Sequence, residues 1–76
     1  MKYKYVRFDK SPIGFNVYEE GEQHPVGWLK QANGFRSNDY YVIHNSVKAE
    51  RQRKALPLHE AKELITQAIN TPMGTI

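Results

Sequence analysis

The sequence predicts an α+β domain, an antiparallel meander of three to five strands packed against one C-terminal α-helix. Three observations carry that expectation. The stretch after Pro57 has the apolar period of an amphipathic helix. Several short β-prone runs, separated by turn residues, come before it. A chain of 76 residues, free of internal repeats and linkers, has material for one core only.

In the helix, Ala61, Leu64, Ile65, Ala68 and Ile69 recur at the i, i+3, i+4, i+7, i+8 positions of one face. Glu60, Lys62, Glu63, Thr66 and Gln67 fill the opposite face. Pro57 suits the first turn, where its missing N–H costs nothing, and Glu60 and Glu63 lie near the positive end of the helix dipole. Thr71-Pro72 disfavours helical geometry and ends the element near Asn70. The domain is thus expected to span residues 1–70, with 71–76 a flexible tail.

The strands are read in order. Lys2 to Phe8 alternates and is rich in tyrosine, and Ser11-Pro12 is expected to break it. Phe15 to Glu19 and Val26 to Lys30 form a hairpin whose connection, Glu20 to Pro25, makes an acidic tip. Ala32-Asn33-Gly34 is a turn and Arg36 to Asp39 an exposed loop, followed by the strand Tyr40 to His44. Asn45 and Ser46 open a basic connection that reads as a flexible loop. Lys54-Ala55-Leu56 then forms a short edge strand before Pro57, since proline cannot donate to a central ladder.

Alternation assigns Tyr3, Tyr5, Phe15, Val17, Trp28, Tyr40 and Val42 to one sheet face. Val6, Phe8, Tyr18, Leu29, Tyr41 and Ile43 fall on the other. One helix covers one face. Some of the chain's nine aromatic side chains should therefore stay exposed, flanked by Lys2, Lys4, Lys30 and Arg36, and exposed apolar patches mark interaction sites.

The net charge of +3 is unevenly placed. Lys2, Lys4, Arg7 and Lys10 stand at one end and Lys48, Arg51, Arg53 and Lys54 in the late connection, around an acidic tip of Glu19, Glu20 and Glu22. Such asymmetry suits an anionic partner. The chain has no cysteine, so it has no disulfide and no thiolate metal site. Residues 1–5 lack the apolar core of a signal peptide, and no apolar run nears the ~20 residues of a membrane span. A cytoplasmic protein without membrane contact is expected.

Catalytic signals are absent from the sequence. His24, His44 and His59 have no metal-ligand spacing, and Ser11, Ser37 and Ser46 lie in turn or loop contexts without a nucleophile elbow. Gly14, Gly21, Gly27 and Gly34 punctuate separate turns or strands and build no phosphate loop. The expectation is a non-enzymatic module with no catalytic residue, metal or cofactor.

From Ala32 onward the chain resembles the small sheet-plus-helix domains at the N-termini of phage tyrosine integrases, related in fold to the plant AP2 domain. The matching pieces are Asn33-Gly34, Tyr40-Tyr41-Val42, Arg51 to Lys54, and Glu60-Ala61 through Ala68-Ile69. The double-stranded-RNA-binding fold shares this β-β-β-α order. The integrase resemblance implies DNA binding through the sheet, with Lys30, Arg36, Tyr40 and Arg51 to Lys54 as contacts.

Two functions are therefore expected. The first is a nucleic-acid-binding module of phage or mobile-element type, DNA favoured over RNA, using Lys2, Lys4, Lys30, Arg36, Tyr40, Lys48, Arg51, Arg53 and Lys54. The alternative is an inhibitor or adaptor that binds a host protein through Glu19, Glu20, Glu22, Tyr18 and Trp28. A homodimer is compatible with either.

Overall fold

The computed structural model describes residues 4–32 and 38–71. It contains one five-stranded antiparallel sheet in the order β1-β2-β3-β4-β5. The strands are β1 (Val6–Ser11), β2 (Gly14–Glu19), β3 (Gly27–Gln31), β4 (Asp39–His44) and β5 (Leu56–Pro57). The helices are α1 (Ala49–Gln52) and α2 (Leu58–Asn70). The expected α+β meander with a closing helix is present. Among the described residues no helix is long and apolar enough to cross a membrane.

Strand β1 starts later than the sequence reading placed it and runs past Phe8. It ends at Ser11, at the expected Ser11-Pro12 break, where Ser11 pairs with Gly14 across a two-residue turn formed by Pro12 and Ile13. Proline at a hairpin turn breaks no ladder bond. Gly14 has φ 151, and a Cβ there would stand 1.8 Å from the Leu29 carbonyl oxygen, so β3 closes on bare backbone.

The basic connection is not a plain loop. It holds the single turn α1, and the Gln52 side-chain amide donates to the carbonyls of His44 (3.1 Å) and Val47 (2.7 Å). Val47 is buried and anchors this segment in the core. Pro57 closes β5 and occupies the N-cap position of α2, which begins at Leu58, one residue after the expected start.

All five apolar positions of the helix stripe, Ala61, Leu64, Ile65, Ala68 and Ile69, are buried. They meet Val6, Val17, Leu29 and Val42 from the sheet, with Phe8, Phe15 and Tyr40 packed around them. Burying one such aliphatic side chain fully contributes about 1.5–3 kcal/mol, and Leu29, Ile65, Val17 and Val42 are all fully buried. Helix and sheet approach closely at Gly27. A Cβ there would lie 2.9 Å from the Ile65 methyl Cδ1 and 2.5 Å from the Ile43 carbonyl oxygen.

The end of α2 is tied to the start of β1. The Lys4 backbone N–H donates to Asn70 Oδ1 (2.6 Å), while Asn70 Nδ2 donates to the carbonyls of Lys4 (3.3 Å) and Thr66 (3.0 Å).

Alternation within each strand holds, but β1 and β3 sit in the opposite phase to the one expected. The tight hairpin pairs Phe8 with Val17 and Arg7 with Tyr18, while β3 pairs Leu29 with Phe15 and Val42. Val6, Phe8 and Leu29 therefore join Phe15, Val17, Tyr40 and Val42 under the helix. Tyr5 and Trp28 move to the uncovered face with Tyr18, Tyr41 and Ile43. Side-chain alternation fixes the two faces of one strand only, and the phase between strands follows from turn length and register.

Candidate nucleic-acid interface

The uncovered face is laid out in cross-strand rows. One row runs Asp9, Asn16, Trp28 and Ile43 across four strands, and the next runs Ser11, Gly14, Lys30 and Tyr41. Arg7 and Tyr18 make a third row on the other side of Trp28. Tyr18 is thus a diagonal neighbour of Trp28, within reach for a large ring.

Trp28 sits near the middle of this face and is 43% exposed, a large indole held in water by the strand that carries it. Half-buried Tyr18, Tyr41 and Ile43 surround it. The Arg7 guanidinium lies over the Tyr18 ring, 4.3 Å from its centroid, in a cation–π stack. Arg7 also reaches Asp9 at 3.6 Å, so its charge is partly offset. Lys30 is exposed beside Tyr41.

A groove of about 560 Å³ runs from the β1–β2 turn to Trp28. Pro12, Ile13, Asn16, Trp28, Lys30 and Ile43 are among its walls. Ile13, at the turn, is 59% exposed. The lining is mainly apolar with a single ammonium group, a composition suited to flat apolar or aromatic ligands carrying negative charge. Among the described residues no group of three or more His, Cys, Asp or Glu side chains is placed to hold a metal ion.

The residues expected to bind fall into separate places. Lys30, Trp28 and Tyr18 share the uncovered face. Tyr40 does not: it points to the helix side, its ring 5.7 Å from that of Phe15. Lys4 pairs with Glu19 where β1 enters the sheet. Lys48, Arg51, Arg53 and Lys54 are exposed on the α1 segment, which packs along β4. Glu20 and Glu22 line a shallow cleft with Tyr5 and Arg7, so the acidic tip borders the Arg7 end of the open face. Lys2 and Arg36 lie outside the described residues.

Arg7, Asn16, Tyr41 and Ile13 belong to the face but were not singled out as contacts in the sequence. The spacing of the two-residue hairpin was the signal that places Arg7 beside Tyr18. His44, on the helix side opposite Gly27, has its pKa lowered by burial, an effect opposed by the nearby Glu19 carboxylate. Its Nδ1 accepts a hydrogen bond from the Ser46 backbone N–H at 3.0 Å.

No protein family, curated protein or solved structure matches the chain. The class that the fold defines is a small two-layer α+β domain with one sheet face left uncovered by the described residues.

Proposed function

We propose that this domain is a nucleic-acid-binding module, DNA favoured over RNA, that holds its ligand on the uncovered face of the sheet. The observation that carries this reading is Trp28, exposed in the middle of that face, with Tyr18 and Tyr41 around it and Lys30 beside it. Aromatic rings on an open sheet stack on bases whatever their sequence, and adjacent cations meet the phosphates.

The shape favours a single strand. At the Trp28 row the sheet is four strands across, and three gaps of ~4.8 Å make it roughly 14 Å wide, broader than the ~12 Å major groove of a duplex. The acidic residues Glu20 and Glu22 flank the Arg7 end, so the phosphate path runs over Lys30 toward the Pro12-Ile13 turn. The resemblance to integrase N-terminal domains supports DNA as the form of the ligand. A phage or mobile-element origin rests on the same resemblance.

The second reading is an inhibitor or adaptor that docks on a host protein. The apolar lining of the groove at Pro12, Ile13, Trp28 and Ile43 favours it, and so does the acidic tip, which a nucleic-acid binder does not need.

A fluorescence-anisotropy titration against random single-stranded and duplex DNA, at two salt concentrations, tests the first reading. Micromolar binding that prefers the single strand and weakens steeply with salt supports it. Absence of binding at low salt overturns it, and the groove then becomes the starting point for finding a protein target.

A further inference from the structure

We propose that the domain self-associates through the free edge of β1, pairing antiparallel with β1 of a second copy in a register centred on Phe8. This goes beyond the nucleic-acid reading and does not depend on it.

Among the described residues the strand order leaves β1, six residues long, at one edge of the sheet. The opposite edge is closed by two-residue β5 and followed by the α1 segment along β4. A long edge strand presents unmade backbone hydrogen bonds and is a template for pairing.

The existing ladder says which of those groups point outward. The Glu20 backbone N–H donates to the Tyr5 carbonyl at 2.9 Å, and this pair continues the β1–β2 register. Hydrogen-bonded and non-hydrogen-bonded pairs alternate in an antiparallel ladder. Tyr5, Arg7, Asp9 and Ser11 thus turn their backbone groups toward β2, and Val6, Phe8 and Lys10 turn theirs to the open edge.

A two-fold pairing centred on Phe8 matches those outward groups: Phe8 bonds Phe8 of the second copy, and Val6 bonds its Lys10. In that register Arg7 faces Asp9 of the second copy, and Asp9 faces its Arg7. These are non-hydrogen-bonded pairs, in which side chains stand closest. Centring the pairing on Arg7 or on Asp9 would set like charges against each other. The charge order Arg7-Phe8-Asp9 is therefore self-complementary in one register and repulsive in its neighbours.

The same register sets Tyr5, 69% exposed, opposite Ser11 of the second copy and next to its Pro12-Ile13 turn. Two of the most exposed large apolar side chains, Tyr5 and Ile13, are brought together. A two-fold axis perpendicular to the sheet also keeps both open faces on one side.

The test is sedimentation equilibrium of the nucleic-acid-free protein between about 10 μM and 1 mM, a range suited to weak dimers. The proposal expects the mass to rise from monomer to dimer with concentration. R7D and D9R should each weaken association about tenfold by replacing two attractive pairs with repulsive ones, and the combined R7D/D9R chain should recover it. Both residues carry surface charge, and circular dichroism checks that each variant keeps its fold. A monomer across the whole range overturns the proposal. So does association that ignores both single reversals, or a double variant no stronger than the singles.

Discussion

Trp28 and Ile43 face each other across β3 and β4 on the side of the sheet that neither described helix covers. The indole is therefore supported by a neighbouring aliphatic chain yet open to a ligand above it. Replacing Trp28 with alanine should leave the core intact and weaken single-strand binding by about 1–3 kcal/mol, the worth of one base–aromatic stack. Anisotropy titrations of the W28A variant read this directly, and a change within error would remove Trp28 from the interface.

Lys30 and Arg7 are the cations described on the same face, and Arg7 is partly offset by Asp9, whereas Lys48, Arg51, Arg53 and Lys54 lie on the segment along β4. The K30A variant should lower the slope of log affinity against log salt by about 0.7, the value for one phosphate of a single strand. Neutralising Arg51 and Arg53 together should change that slope less. The opposite ranking would move the phosphate path to the sheet edge.

Gly27 is required where α2 meets the sheet. The G27A variant should destabilise the fold by about 1–3 kcal/mol, through overpacking against Ile65 and the Ile43 carbonyl. Because one clash is with the Ile65 Cδ1 methyl, the I65V substitution should cost less in the G27A background than alone. Urea denaturation of the double-mutant cycle measures this coupling.

His44 makes stability pH-dependent. Its folded pKa lies below the ordinary 6.5, so the unfolded chain binds the proton more readily. The contribution is fully present above pH 6.5 and is lost as pH falls from there through the folded value. Protonating Nδ1 also removes the acceptor for the Ser46 N–H. Chemical denaturation at pH 7.5 and 5.5 should show a smaller loss for the H44N variant than for the parent chain.

Much of this fold is legible in the sequence, because local rules decide it. The α2 stripe from Ala61 to Ile69 is a direct 3.6-residue period; the short edge strand expected at Lys54 to Leu56 is present but shifted, at Leu56–Pro57, with Lys54 and Ala55 outside it. The phase of β1 and β3 is another matter. Trp28 looked like a partner of Phe15 and Val17 because alternation is blind to register. The Pro12-Ile13 turn and the β2–β3 connection decide instead that it stands beside Tyr18 and Ile43. An exposed aromatic face was expected in kind, yet its members differ; Tyr40 keeps its expected company of Phe15 and Val42, but that face is the one the helix covers, so it is not a contact on the open face. Basic residues such as Arg51 and Lys30 carry no sequence mark of which surface they share, since charge patterning ignores tertiary placement.

The most direct test of the central claim uses the chain's sole tryptophan as its own reporter. Trp28 emission is followed while a single-stranded oligonucleotide is added at low and then moderate salt. If the open face binds nucleic acid, the emission is quenched in a saturable way and the midpoint shifts to higher oligonucleotide concentration as salt rises. Saturable binding by anisotropy with unchanged Trp28 emission would place the ligand elsewhere on the protein and contradict the account.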